Sequence, residues 1–216
     1  MILNQVEIKS EKPKKLAIFM HGYGANNINL LPVARQLSFF LPDIHFLLPD
    51  APFPYEGEGE GKQWFSLLNR NEENMLKGAN IAEEILLTYI DQSLTKYNLD
   101  YNQLILMGFS QGAMMSIHCG LRLLPKKIQI VSYSGAIISW QNGLLNIIAK
   151  QTKGIESKIL LIHGENDEIV PKTASEKAMI KFQEYNIATE LYLEKNLGHS
   201  ISEGGIRKTL EFLQQK

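Results

Sequence analysis

The sequence has little of several features that mark large classes of proteins. It contains one cysteine, Cys119, in 216 residues, which excludes an internal disulfide and any metal site built from several thiolates. Its 22 Lys and Arg residues are balanced by 23 Asp and Glu residues, so no overall basic field exists to hold nucleic acid or anionic lipid. The composition therefore predicts no nucleic-acid partner and favours a reducing compartment.

Long apolar runs are also missing. The longest, such as residues 16–20, span about five residues, whereas a membrane-spanning helix requires roughly 20. Residues 1–7 alternate apolar and polar side chains and lack the basic stretch and apolar run of a secretory signal. We expect a cytoplasmic protein without stable membrane insertion.

What the chain does have is enough apolar material for one core. It is 44% hydrophobic and 21% charged, which is typical of a compact globular chain of this length. Its only biased stretch, the acidic and glycine-rich Glu56–Gly61, is too short to link two domains. We predict a single domain over residues 1–216.

Short, nearly continuous apolar runs predict strands that are buried on both faces of a parallel sheet. These runs are Leu16–Met20, Ile44–Leu48, Leu104–Met107, Ile128–Tyr133, Ile159–His163 and Leu191–Leu193. Helical patterns lie between them, and the clearest places Met75, Ala79, Ala82, Ile85, Leu86, Tyr89, Ile90 and Leu94 on one stripe. This alternation predicts a mostly parallel, doubly wound α/β sheet with helices on both faces and functional sites at the carboxyl ends of its strands.

Two pairs of residues have the spacing of capping boxes. They are Thr173 with Glu176, and Ser200 with Glu203. We expect them to mark the starts of the last two helices.

The strand Leu104–Met107 is followed at once by Gly108-Phe109-Ser110-Gln111-Gly112 and then by a helical pattern. This is G-x-S-x-G in the strand, turn and helix context that a nucleophile elbow requires. The alternative is an ordinary glycine-rich turn whose serine caps the helix. The context favours Ser110 as a nucleophile that lies near the positive end of the helix.

A serine nucleophile needs a base, and the base needs an orienting acid. In elbow enzymes the chain order is serine, acid, histidine. The turn after Ile159–His163 carries Glu165, Asp167 and Glu168, among which we favour Asp167 as the acid while its neighbours remain competitors. His199 is the only histidine after Asp167, so chain order selects it as the base.

The remaining histidines have simpler interpretations. His45 lies in a strand pattern, His118 in a helical pattern, and His163 at a strand end where packing or a backbone hydrogen bond would suffice. None has the spacing of a zinc helix such as H-E-x-x-H. We therefore expect no metal and no cofactor.

Acyl transfer also needs N–H donors for the negative charge that develops on the carbonyl oxygen. One should be the backbone N–H of Gln111, directly after the serine. The other should come from the loop after the first predicted strand, His21-Gly22-Tyr23-Gly24, where glycines allow close approach of the backbone. We predict the N–H of Tyr23 as this second donor.

Taken together, the chain resembles the phospholipase/carboxylesterase family of α/β-hydrolases, which includes the acyl-protein thioesterases. The matching segments run in one order over nearly the whole chain, and they are residues 21–24, 49–52, 63–66, 108–112, 164–171 and 198–200. The resemblance implies an α/β-hydrolase fold with Ser110 as nucleophile, Asp167 as acid, His199 as base, and the N–H groups of Tyr23 and Gln111 as the oxyanion hole.

The chain departs from the family around the oxyanion loop. It carries Tyr23 and Ala25-Asn26 where relatives commonly have leucine and then aspartate. The acidic stretch Glu56–Gly61 falls where relatives carry part of a substrate-covering loop, and it offers little apolar surface. Trp64 and Phe65 are candidates to line an acyl pocket, with core packing as the alternative.

The residues predict a serine hydrolase of carboxylic esters, with short or medium acyl chains favoured. Its substrate would be a small-molecule or lipid-like ester. Lysophospholipids and S-acylated proteins are the rival substrates. From a different class, a non-catalytic α/β-hydrolase scaffold would have no chemical need for an intact triad. The sequence leaves the oligomeric state open.

Overall fold

The computed structural model describes residues 3–139 and 156–215. Nine strands alternate with five helices over these residues. The strands are β1 (Gln5–Ile8), β2 (Lys15–Met20), β3 (Ile44–Pro49), β4 (Phe53–Pro54), β5 (Lys62–Gln63), β6 (Leu104–Phe109), β7 (Gln129–Tyr133), β8 (Lys158–Gly164) and β9 (Ala188–Glu194). The helices are α1 (Leu31–Phe40), α2 (Glu72–Tyr97), α3 (Gln111–Leu123), α4 (Thr173–Glu184) and α5 (Glu203–Gln214).

Seven strands form one sheet in the order β1-β3-β2-β6-β7-β8-β9. All neighbouring pairs are parallel except the pair between β1 and β3. The six apolar runs of the sequence coincide with β2, β3, β6, β7, β8 and β9, so the prediction of a mostly parallel, doubly wound sheet is confirmed. The edge strand β1 was not predicted, because its residues are only partly buried and alternate in polarity.

Helices cover both faces of the sheet because successive side chains of a strand point to opposite sides. On one face, Leu16, Ile18 and Met20 of β2 pack in a cluster with residues of α2, α3 and α4. On the other face, Ala17 and Phe19 pack in a cluster with residues of α1 and α5. The sheet is therefore buried on both sides, as continuous apolar runs require.

Helix α2 buries the stripe that the sequence pattern predicted, with Met75 and Ile85 only partly buried. Its first turn is capped by Asn71, whose side chain accepts a hydrogen bond from the N–H of Asn74 at 2.8 Å. The same buried stripe also contains a carboxylate, Glu83, which the apolar pattern does not reveal.

The two expected capping boxes do not form. Helix α4 does begin at Thr173, but Thr173 is its first helical residue, and the capping position is occupied by Lys172, which makes no side-chain cap. Helix α5 is capped by Ser202 instead of Ser200, because Ser202 is extended and its hydroxyl accepts from the N–H of Gly205 at 3.0 Å. Helix α5 therefore starts two residues later in the chain than a cap at Ser200 would place it.

The short strands β4 and β5 form a hairpin whose tip is the acidic stretch Glu56–Gly61. Residues 56–60 are exposed. Lys62 of this hairpin also forms an antiparallel bridge with Ala25, in the loop after β2. The acidic stretch is thereby attached to the loop that carries Tyr23.

Within the described residues, none of the helices combines the length and the apolar character needed to cross a membrane.

Candidate active site

The predicted site residues meet at the carboxyl ends of the parallel strands. Ser110 follows β6, Asp167 follows β8, His199 follows β9, and Tyr23 follows β2. Ser110, His199, Tyr23 and Gln111 line one cavity of about 740 Å³. The topology thus places chemistry-bearing side chains from distant parts of the chain in the crevice where doubly wound sheets bind ligands.

Ser110 has a backbone conformation that L-residues rarely adopt, with φ 54° and ψ −118°. It occupies the capping position of α3, yet its hydroxyl makes no capping hydrogen bond. Its backbone N–H donates to the carbonyl of Tyr133 at 2.9 Å, and this hydrogen bond holds the sharp turn against the end of β7. A serine that only caps the helix would engage its hydroxyl with the first turn, so the geometry favours the nucleophile interpretation.

The turn at Ser110 needs the glycines on either side of it, because a side chain at either position would have no space. A β-carbon on Gly108 would lie 2.1 Å from the carbonyl oxygen of Gly112, and one on Gly112 would lie 2.1 Å from the carbonyl oxygen of Met20. Both contacts are with backbone, which cannot move aside as a side chain could. The motif therefore brings the start of α3 against the end of β2, next to the oxyanion loop.

Asp167 and His199 are hydrogen-bonded, with Nδ1 of His199 2.7 Å from Oδ2 of Asp167. The Asp167 side chain is fully buried, whereas the His199 ring is 17% exposed. The other carboxylate oxygen, Oδ1, accepts from the N–H groups of Ile169 and Val170 at 2.9 Å each. The ring of His199 lies beside that of Phe109, with 4.8 Å between centroids.

Electrostatics keep this buried carboxylate ionised. Burial on its own would raise the pKa of Asp167, but the hydrogen bonds from His199, Val170 and Ile169 outweigh burial and lower the pKa below its usual value. The two competing carboxylates lie in more open surroundings, since Glu165 is only partly buried and Glu168 is exposed. Of the three carboxylates in this turn, Asp167 is the one that contacts His199.

The loop after β2 carries the predicted second oxyanion donor, the N–H group of Tyr23. The N–H of Gly24 donates to Lys62 at 2.9 Å and that of Ala25 to Gly22 at 3.2 Å. Among the described residues, the N–H of Tyr23 has no acceptor. A β-carbon on Gly22 would lie 3.4 Å from the β-carbon of Ser110, so this loop passes directly beside the serine. The N–H of Gln111 is the first of α3 and has no partner within the helix.

Behind this loop, a chain of hydrogen bonds fixes its position. The side chain of Gln111 donates to the carbonyl of Phe65 at 2.8 Å and accepts from the N–H of Trp64 at 2.9 Å. The indole N–H of Trp64 donates to the carbonyl of His21 at 2.9 Å. His21 donates from Nδ1 to Gly22 at 2.8 Å and accepts at Nε2 from the N–H of Ala51 at 3.0 Å. Burial lowers the pKa of His21, which matches this neutral form.

Trp64 and Phe65 do not belong to the described wall of the cavity. Both are buried, at 0% and 1% exposure, and pack in the core cluster with α2 and α3. The expectation that they line an acyl pocket is therefore not supported by their positions. The packing alternative is favoured, because Trp64 supports the oxyanion loop from behind.

The wall of the cavity is mostly apolar and includes residues that the sequence did not identify as site residues. Among them are Leu30, Leu67, Met75, Met114, Ile137 and Ile138. Arg70 contributes the one permanently charged side chain of the described wall. These residues come from four separate segments, and only the motif neighbour Met114 could have been placed near the serine from sequence.

His45, His118 and His163 lie outside the described wall of the cavity. His45 contacts Glu7 with 3.4 Å between Nε2 and Oε2, and His118 contacts Asn80 with 3.1 Å between Nε2 and Oδ1. His163, for which the sequence suggested packing or a backbone hydrogen bond, does contact a backbone carbonyl, that of Val170, and also lies near Asp167, with 3.3 Å between Nε2 and Oδ2. In the part of the chain that the structure describes, no three His, Cys, Asp or Glu side chains are grouped to hold a metal ion.

The sheet order, the strained serine at the end of the middle strand and the site at the carboxyl ends define an α/β-hydrolase fold. A profile of the Phospholipase/Carboxylesterase family matches residues 3–216. The chain therefore belongs to the phospholipase/carboxylesterase family, as its motifs predicted.

Individual proteins show the same similarity. Acyl-protein thioesterase 1 of Cryptococcus neoformans is 26% identical over 168 residues, covering 71% of this chain, and the chain spans about two thirds of that relative's length, 66%. The crystal structure of esterase PE8 has a TM-score of 0.86 at 32% identity and covers 99% of both chains. Acyl-protein thioesterase 2 of Zea mays, at 18% identity and a TM-score of 0.78 over 97% of both chains, shows the common fold.

Proposed function

We propose that this protein is a serine hydrolase that cleaves carboxylic esters through Ser110, His199 and Asp167. The observation that carries the proposal is the 2.7 Å hydrogen bond between the buried Asp167 and His199, which lines the same cavity as Ser110. Family membership and the similarity to an esterase at 32% identity support the same chemistry.

The mechanism follows from the roles that this geometry allows. His199 takes the proton of the Ser110 hydroxyl as that oxygen attacks the ester carbonyl, and Asp167 stabilises the imidazolium that forms. The N–H groups of Tyr23 and Gln111 bind the oxyanion. The alcohol leaves with the proton from His199, and water, deprotonated by His199, then releases the acid from the acyl-enzyme.

The direct test is labelling with a fluorophosphonate probe followed by peptide mapping of the adduct. We expect the wild-type protein to be labelled at Ser110, and Ser110→Ala and His199→Ala to lose labelling and at least about a thousandfold in ester turnover. Ser38→Ala, at a half-buried position of α1 outside the described cavity wall, is the matched control and should behave as wild type. Wild-type turnover by Ser110→Ala would refute the mechanism, and a folded wild-type protein without labelling or turnover would favour the alternative of a non-catalytic α/β-hydrolase scaffold.

For the acyl group, we propose a preference for short or medium chains. The hairpin tip Glu56–Gly61 is acidic and exposed over residues 56–60, and none of its residues lines the described cavity, so it adds no apolar surface for a long chain. The test is a series of p-nitrophenyl esters of increasing length. A kcat/KM that rises continuously to the longest acyl chains would contradict this preference.

A second candidate activity is hydrolysis of thioesters on S-acylated proteins. Its support is that several relatives are named acyl-protein thioesterases, including the Cryptococcus protein. The same serine and oxyanion donors would serve a thioester. Comparing kcat/KM for a short acyl ester, its thioester and an S-acylated peptide would rank the two candidates, and a preference for the peptide would favour this second function.

A further inference from the structure

His163 is a buried, titratable side chain that the proposed mechanism does not use. It is the sixth residue of β8, it has 0% exposure, and it precedes Asp167 by four residues. It is not part of the described cavity wall. Its role must therefore be exerted through its neighbours and not through contact with a substrate.

Hydrogen bonds determine which ring nitrogen of His163 carries the proton. Nε2 lies 2.7 Å from the carbonyl oxygen of Val170, and a carbonyl only accepts, so Nε2 is the donor. Nδ1 lies 2.7 Å from the hydroxyl of Ser175 at the start of α4. Burial lowers the pKa of His163 and outweighs the opposite effects of Val170 and Asp167, so the ring is neutral and Nδ1 accepts from Ser175.

The donor nitrogen also faces the catalytic acid. Nε2 of His163 is 3.3 Å from Oδ2 of Asp167, the same oxygen that accepts the hydrogen bond of His199. The titratable groups that act on His163 are thus Asp167 and His199, while α4 contributes the uncharged Ser175. Two imidazoles therefore lie within 3.3 Å of one carboxylate oxygen, of which His199 is hydrogen-bonded to it, and the second oxygen accepts from two backbone N–H groups.

We propose that His163 is a positioning residue for the triad: its Nε2–H donates to the carbonyl of Val170 and lies beside Oδ2 of Asp167, and so fixes the acid turn and moderates the negative charge that Asp167 presents to His199. This inference rests on the proposed function of Ser110, His199 and Asp167. Without this N–H group, Oδ2 would interact with His199 alone and would stabilise its imidazolium more strongly. The base would then stay protonated to higher pH and would be less able to activate Ser110.

Two amide substitutions separate this role from simple packing. In His163→Asn, the amide reaches roughly the position of Nδ1, so it can still bond Ser175 but leaves Asp167 without the donor. In His163→Gln, the longer side chain can place its NH₂ group near the position of Nε2 and restore the donor. The readout is the pH dependence of kcat/KM for a short ester, together with the separate values of kcat and KM.

For His163→Asn we expect the acid limb of the profile to move to higher pH by about half a unit or more, with a lower kcat and little change in KM. For His163→Gln we expect the limb to return to the wild-type position. A lower kcat with an unmoved acid limb in His163→Asn would show a merely structural role and overturn the proposal. Equal displacement in both variants would overturn it as well.

If His163→Asn does not fold, as judged by circular dichroism, Ser175→Ala provides the test. Removing this hydroxyl leaves Nδ1 of His163 without its donor and frees the ring to turn away from Asp167. We expect a smaller displacement of the acid limb in the same direction, and an unmoved limb overturns the proposal. Failure of the proposed function can be distinguished from failure of this inference, because His199→Ala would then retain turnover regardless of the results for the His163 variants.

Discussion

Gly61 lies so close to Gly24 that a β-carbon on Gly61 would be 2.1 Å from the carbonyl oxygen of Gly24. The contact joins the hairpin of β4 and β5 to the oxyanion loop. Two backbone hydrogen bonds reinforce it, from Gly24 to Lys62 at 2.9 Å and from Lys62 to Ala25 at 2.8 Å. The hairpin therefore fixes the backbone next to Tyr23, the predicted oxyanion donor.

The first prediction follows from this contact. Gly61→Ala should push the Gly24 carbonyl away and tilt the N–H of Tyr23, which lowers kcat about tenfold or more, since loss of one oxyanion donor costs about 10² to 10³. Steady-state kinetics with a short ester would measure this effect. Glu60→Ala, on the exposed neighbouring side chain, is the control. A wild-type kcat in a folded Gly61→Ala variant would show that the hairpin does not contribute to oxyanion stabilisation.

The position of Trp64 behind the loop gives the second prediction. Trp64→Phe keeps an aromatic ring but removes the N–H that donates to His21, which leaves a buried carbonyl without its partner. We expect the free energy of unfolding to fall by about 1–3 kcal/mol. We also expect kcat/KM to fall by one common factor for short and long acyl esters, because the indole does not line the described cavity.

The comparison for Trp64 is Met114→Ala, since Met114 does line the cavity. That variant should change the ratio of kcat/KM between long and short esters. If Trp64→Phe changed this ratio as much as Met114→Ala does, the indole would contact the acyl chain, and the packing interpretation would be wrong.

The sequence revealed the parts of this molecule whose physical requirements are local. A strand buried on both faces must be apolar throughout, so β2, β3 and β6 to β9 were visible as continuous runs. The elbow at Ser110 needs small residues at fixed positions, and chain order then selected His199. These features require no knowledge of which elements become neighbours.

What the sequence did not reveal depends on tertiary neighbours. Strand β1 is half-buried at an edge, and β4 and β5 have two residues each, too few for a period. The sequence could not decide whether Trp64 lines a pocket or packs in the core, because an aromatic beside a loop fits both equally well. The contact between His163 and Asp167 was missed because a histidine at a strand end says nothing about which side chain its ring will face.

The third prediction concerns Cys119, the only cysteine of the chain. It is fully buried, and burial raises the pKa of its thiol, so the reactive thiolate is suppressed. We expect a chromogenic disulfide reagent to leave the native protein unmodified and to release one equivalent of its thiol on denaturation. Rapid reaction of the native protein would show that α3 opens readily, and Cys119→Ala controls for the signal.

The last prediction concerns pH and stability at the contact between α2 and α3. Burial, helped by the nearby Arg122, lowers the pKa of His118 to about 4 from 6.5. Between these values the unfolded chain takes up a proton that the folded protein does not, so the free energy of unfolding falls as pH falls from 6.5 towards 4. The slope from this one group is at most about 1.4 kcal/mol per pH unit.

A variant is needed to isolate this effect because the neighbouring Glu83 acts in the opposite sense. Burial raises the pKa of Glu83, so the folded protein takes up that proton first and gains stability on acidification. Urea unfolding of His118→Gln between pH 7 and 4.5 should show a weaker loss of stability than wild type. Asn80→Ala removes the partner of His118 without removing a titrating group, so it should keep the wild-type slope. Parallel curves for His118→Gln and wild type would mean that His118 takes up its proton as readily in the folded protein as in the unfolded chain, which would contradict this prediction.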